Sequence, residues 1–438
     1  MAYQEKAGAI HADLTIGNDL TKVSKLNANS GICHDGVKLH GKGFVVTSRE
    51  AEGFGFSANS DAKKHVRQYR NGRDLASRAR GLYVIDLYGL DEVSARRTVP
   101  ELYQHLAMTV RPERESNRRD SYRNNWWLFG EPRRDFRAAM VSVNRYIATV
   151  DTAAHRIFQM LPQELICDDG VVCVADDRWT SLGILSSSIH VAWATASGGW
   201  LGIGNDSRYL KTKTFDPFPF PDATPEQRTI IGDLAEELDA TRKEVLAEHI
   251  DLTLTGLYNL REKLRQHGPF TPGEQDQRRR GRVDIIAELH DRIDAAVADA
   301  YGWPRDLTDE AIITRLVALN AERHAEEKAG KVRWLRPDYQ LPRAGVTVLA
   351  PKVQTEQLEA LLPAAATKKP AFPREAIGQT AAVLADLRGG AGLTSAEIAR
   401  RYAQGLKAEP RIAATLAALV RLGHVAAEGD RYTLRRAA

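Results

Sequence analysis

The string Phe215-Asp216-Pro217-Phe218-Pro219-Phe220-Pro221 constrains this chain more than any other feature. Prolines at alternate positions remove backbone donors, so the segment is neither a helix nor a central strand and has to mark a boundary. Directly after it, Thr224-Pro225-Glu226-Gln227 supplies a cap, a first-turn proline and a capping-box glutamine. Ile230, Ile231, Leu234, Leu238, Val245 and Leu246 follow at helical spacing, as do Val283, Ile286, Leu289, Ile293 and Val297, and then Ile312, Leu316 and Leu319. Residues 223–345 are therefore expected to be packed helices.

Upstream of the boundary the pattern is shorter and mixed. Residues 1–60 combine brief β-like runs, such as Gly43 to Thr47, with glycine and asparagine punctuation, and read as a connector. The apolar run Leu82 to Leu90 predicts a buried strand, and Asp91 and Glu92 open a helix that Pro100 interrupts or ends. Ser186-Ser187-Ser188 can cap a helix with Ile189, Ala192, Trp193 and Ala196 on one face, stopped by Gly198-Gly199. Trp179 to Asn205 contains no Asp, Glu, Lys or Arg and is about as long as a membrane span. It also holds five serines and a histidine, so a buried helix with strands is expected there, and no membrane partner.

Ala364 to Pro370 has linker composition, giving a linker over 346–372. Residues 373–438 predict three helices and a hairpin, an order resembling a winged helix; a small helical cap on the preceding bundle is the plainer alternative. The fold class expected is α+β: a mixed α/β domain over 61–222, a helical domain over 223–345 and this small terminal unit. Three cysteines, none spaced Cys-x-x-Cys, build neither a disulfide framework nor a zinc site, which favours a reducing cytoplasm. The N-terminal stretch lacks the regions of a secretory signal.

With 61 Lys and Arg against 57 Asp and Glu, total charge decides nothing, and position has to. From Arg111 to Arg137 eight arginines face five acids, with Tyr122, Trp126, Trp127 and Phe129 interleaved. Guanidinium forks and aromatic faces suit phosphates and bases, but the same composition suits Arg–carboxylate pairs around a Trp-rich core. Gly202 to Lys213 is a polar, glycine-punctuated loop fitted either to base edges or to a plain hairpin, and Arg70-Asn71-Gly72-Arg73-Asp74 is a turn with two cations. The sequence contains no phosphate-binding glycine loop and no Gly-x-Gly-x-x-Gly after a strand. Asp216-Pro217-Phe218-Pro219 transposes the proline and aromatic of a base-holding methyltransferase loop, so it is not expected to be catalytic. His155 and His190 lack partners at metal spacing and read as packed or surface residues, with His190 hydrogen-bonding a neighbour.

An ordered succession of blocks carries a resemblance. It includes Ala12-Asp13-Leu14-Thr15, Gly36 to Gly41, Asn71 to Leu75, Val84 to Leu87, Val110 to Arg114, Trp126 to Glu131, Arg145-Tyr146-Ile147, His155-Arg156, His190 to Trp193, Phe218 to Pro221, Leu316 to Asn320 and Arg333 to Pro337. Over about residues 1–345 the chain resembles the C-terminal half of the MmeI-like DNA methyltransferases. That family transfers a methyl group from S-adenosylmethionine to adenine in double-stranded DNA, in restriction-modification or phage-defence systems. The resemblance implies that 61–222 is a target-recognition domain, with Asn205, Asp206, Arg208 and Lys211 at base edges. Arginines between Arg111 and Arg145, namely Arg111, Arg114, Arg118, Arg119, Arg123, Arg133 and Arg145, would hold phosphates. Arg70, Arg73, Trp126, Arg156 and Tyr209 complete the expected DNA-binding set. Neither the cofactor motif nor the catalytic loop is present. The resemblance thus implies duplex DNA and a separate methyltransferase domain or subunit as partners, and no cofactor, catalytic residue or metal in this chain. A transcription regulator using Arg401, Arg411 and Arg421 of the terminal unit is the alternative from another class.

Overall fold

The computed structural model describes residues 20–57, 60–201, 206–345, 371–373, 375–387 and 392–434. It forms two compact units, Met1–Val348 and Leu349–Ala438. The expected linker lies almost wholly outside the described residues.

Among the described residues the first unit is built on three small sheets. One takes β1 (Cys33–Asp35), β9 (Val171–Val174), β5 (Arg145–Val150) and β7 (Gln159–Pro162) in that order, all antiparallel. A second orders β2 (Val45–Val46), β4 (Leu82–Ile85), β3 (Val66–Arg70) and β8 (Ile166–Cys167), with only β3 and β8 parallel. The third is a ribbon of β10 (Gly199–Leu201), β11 (Asp206–Arg208) and β6 (Thr152–Ala153), antiparallel throughout.

The second sheet packs under the helices Glu92–Thr98 and Pro100–Thr109, over a core of Phe44, Val66, Val84, Ile85, Leu102, Leu106, Trp126 and Trp127. Asp91 caps the first of these helices as expected. β4 is shorter than the expected strand for a polar reason. The Asp86 amide donates to the His65 carbonyl at 2.7 Å, its carboxylate takes both terminal nitrogens of Arg137 at 2.8 and 3.1 Å, and the chain then turns through Gly89 at φ 92°.

The charge-free stretch forms two helices, Trp179–Ser186 and Ser188–Ser197, the second capped by Ser187. Among the described residues no helix is long and apolar enough to cross a membrane. Helix Trp179–Ser186 lies tightly against the long helix Pro225–Glu248, which starts on the expected capping box at Thr224 and Gln227. Helices Leu254–Arg265, Pro272–Arg280, Val283–Tyr301 and Asp309–Lys328 continue the helical layer, and Val283, Ile286, Leu289, Ile293 and Val297 bury along one stripe.

The proline-aromatic string runs buried between these layers, preceded by one π-turn over Lys211–Phe215. Its carbonyls cannot join a ladder, so side chains largely satisfy them, with the Leu26 amide adding a bond to Asp216 at 3.0 Å. Asn29 Nδ2 donates to Phe215, Asp216 and Phe218 at 3.0, 3.1 and 2.8 Å, Asn320 Nδ2 to Pro217 at 2.6 Å, the Tyr301 hydroxyl to Pro219 at 2.9 Å, and Trp193 Nε1 to Thr214 at 2.9 Å. Segments expected as connector, recognition domain and helical domain thus meet on one strap within one unit.

In the second unit, helices Ala376–Leu387, Ser395–Ala399 and Glu409–Arg421 precede the hairpin Val425–Glu428 and Arg431–Leu434. The middle helix is short and gives way to turns before Gly405 at φ 53°.

Candidate nucleic-acid interface

The ribbon is where the sequence places chemistry at a surface. Side chains alternate along a strand, and Ser207 and Tyr209 point inward at 7% and 1% exposure, so Asp206 and Arg208 project to the outer face. Arg208 stands opposite Thr152 in β6 and opposite Gly199 in β10. Its Nε reaches the Asp151 carboxylate at 3.2 and 3.4 Å, while no partner for its terminal nitrogens occurs among the described residues. Burial holds the Asp151 carboxyl above its usual range even though Arg208 pulls it down. Gly198 allows this arrangement: a Cβ there would lie 2.2 Å from the Arg208 carbonyl, so only glycine lets the preceding helix end against β11. Asn205 lies outside the described residues, and Lys211 is half-buried at the start of the π-turn.

The same end of the first sheet gathers further polar groups. The Asp151 amide donates to the Gly170 carbonyl at 2.9 Å, and the Asp168 amide to the Arg70 carbonyl at 3.2 Å. Arg70 and exposed Arg73 flank Asn71, which with Asp74 forms a capping box for the short helix Gly72–Ala76, where a plain turn was expected. Arg133 donates from Nε to the Gly36 carbonyl at 2.9 Å and pairs with Glu131 at 2.7 Å. Lys38, not singled out from the sequence, bridges Glu131 and Asp169 at 3.5 Å each. Asp168 is pushed up to about 6 by burial, against the pull of the Gly170 amide and the Tyr69 hydroxyl.

From there the segment Gly36 to Gly41 leads to the arginine-rich corner, where both compositional readings find residues. Arg111 and Arg118 are exposed; Arg111 pairs with Glu115 at 2.9 Å, and Arg118 has no hydrogen-bond or ion-pair partner among the described residues. Arg119 is exposed beside Tyr122, and Arg123 binds Asp120 and the Asn117 carbonyl. Arg145 lies at the opposite end of β5, bound to the Asp177 carbonyl at 2.9 Å and over the Trp179 ring at 4.3 Å.

Four residues expected to face DNA are instead inside the fold. Arg114, 1% exposed, spends its guanidinium on the carbonyls of Leu39, His40, Tyr122 and Leu128. Trp126, 5% exposed, packs against Trp127 and Tyr103. Tyr209 donates to or accepts from His190 Nε2 at 3.0 Å, and His190 is pushed down to about 3 by burial and then by Arg156. Arg156, 8% exposed, binds the carbonyls of Val150, Asp151 and Ser207 and the hydroxyls of Thr149 and Ser207. For Arg114 and Arg156 the cause is that a buried guanidinium with five donors satisfies carbonyls that irregular backbone leaves open, whereas Trp126 and Tyr209 are buried as core aromatic rings. Composition does not distinguish such struts from phosphate contacts. Among the described residues, no cluster of His, Cys, Asp and Glu is placed to hold a metal.

Comparison with known proteins shows what this geometry is similar to. Residues 22–222 match the family model described as MmeI, target recognition domain. Among solved structures, the Type IIL restriction-modification enzyme MmeI, in complex with DNA, matches with a TM-score of 0.54 at 17% identity. The match covers 71% of this chain and 38% of that one, so this chain spans well under half of that enzyme's length. At that identity the likeness is one of fold. No curated protein gives a significant match. Residues 22–222 of this chain are therefore similar to the MmeI target recognition domain.

Proposed function

We propose that this chain recognises a sequence in double-stranded DNA on behalf of an adenine-specific methyltransferase of a restriction-modification or phage-defence system. The match of residues 22–222 to a target-recognition domain carries the reading. The ribbon supports it by presenting Asp206 and Arg208, an acceptor and a donor fork, on one outward face. Exposed Arg73, Arg111, Arg118 and Arg119, with half-buried Arg70, Arg123, Arg133 and Arg145, contribute phosphate contacts that fix orientation without reading bases. The S-adenosylmethionine and the methyl-transfer residues belong to a separate catalytic domain or subunit, since the sequence has neither the cofactor motif nor the catalytic loop. A cytoplasmic site of action fits such a role.

Fluorescence anisotropy of the 438-residue chain with duplex pools tests the reading. Neutralising several phosphates releases counterions, so affinity should fall steeply between low and moderate salt. Affinity indifferent to salt would overturn it. Calorimetry with S-adenosylmethionine should give no heat; cofactor binding by this chain would place the chemistry here instead.

A further inference from the structure

The ribbon that carries Asp206 and Arg208 is short, with strands of three, three and two residues. Two- and three-residue pairings do not hold a register by themselves. β5 and β6 are consecutive stretches of one chain that belong to different sheets, separated only by Asp151. The Arg156 guanidinium sits under this break. From one side it takes the Val150 and Asp151 carbonyls, the latter at 3.4 Å, and from the other the Ser207 carbonyl at 2.7 Å and the Ser207 hydroxyl at 3.1 Å. Its carbon centre lies 5.3 Å from the Tyr209 ring. The Tyr209 amide closes the same junction by donating to the Asp151 carbonyl at 2.7 Å.

We propose that Arg156 is a positioning residue for base readout: it fixes β11 against the bend at Asp151, and so sets where Asp206 and Arg208 stand, without touching DNA. The proposal rests on the recognition function above. A planar fork joined to carbonyls on both sides of the junction resists sliding in a way that a single ammonium does not. A shift of one residue would turn Ser207 and Tyr209 outward and bury both charged neighbours.

The test measures two affinities for wild type, Arg156→Lys and Ser207→Ala, all as the full chain: one for the duplex enriched from a random pool, one for random duplex at low salt. Arg156→Lys should cut the ratio of the two at least tenfold while random-duplex affinity stays within twofold. Ser207→Ala, which removes one acceptor and leaves the buried charge its carbonyls, should cut the ratio less and melt close to wild type. An unchanged ratio in both variants overturns the proposal. Equal loss of both affinities in Arg156→Lys, with Ser207→Ala unchanged, also overturns it, because that is the signature of a phosphate contact or of general unfolding. Failure of the wild-type chain to enrich any duplex defeats the recognition function itself, a separate result.

Discussion

Arg208 and Arg118 divide the tasks of a recognition surface. Arg208 is oriented by a strand and an acidic neighbour, whereas Arg118 projects into solvent without a partner among the described residues. Replacing Arg208 with alanine should relax sequence choice by ~1–3 kcal/mol, the range for a lost base contact. Replacing Arg118 should weaken all sequences alike and lower the salt slope. Binding measured over a panel of duplexes separates the two, and exchanged outcomes would reverse the assigned roles. Asp168 gives a prediction in pH. Its folded-state pKa, about 6, lies above the ordinary 3.8, so its contribution is fully present below about 4 and is lost as pH rises through 6. Asp168→Asn should therefore raise the melting temperature at pH 7.5 and give little at pH 4; a larger gain at low pH would contradict that sign. The alternation around Arg208 follows from strand periodicity, but its partner Asp151 lies 57 positions away and was not legible in the sequence. Arg114 and Arg156 were not readable as struts, because their acceptors are backbone carbonyls whose openness depends on how distant segments bend.

Elements follow local rules here. The helix starts at Asp91, Ser187 and Thr224 and the apolar stripe of Val283–Tyr301 all follow from spacing and caps visible in the sequence. Less visible is how closely elements approach. A Cβ at Gly183 would stand 2.5 Å from Ile231 Cγ2 and 3.0 Å from the Ile231 carbonyl, whereas one at Gly273, in helix Pro272–Arg280, would meet nothing within 4 Å. Gly183→Ala should cost ~1–3 kcal/mol through overpacking. Gly273→Ala should be stabilising by ~0.4–1 kcal/mol, because it restricts the unfolded chain. Urea denaturation checks both, and equal effects would contradict the packing assigned to Gly183. Nothing local marks Gly183 as a contact point, since its partner lies in a helix that follows the proline boundary.

At the scale of the whole molecule, the first unit ends at Val348, so the smaller one offers a clean deletion. A chain ending at Gly345 should keep most of its duplex affinity in anisotropy; loss of binding would instead favour a regulator acting through Arg401, Arg411 and Arg421. The strap at 215–221 bears on any attempt to exchange specificities between relatives. Its anchors, Asn29 and Asn320, are nearly three hundred positions apart, and both must be supplied for its carbonyls to be satisfied. A graft cut at residue 222 would transplant the reading ribbon while leaving behind the lock that seats it, so the smallest transferable cassette has to carry both Asn29 and Asn320.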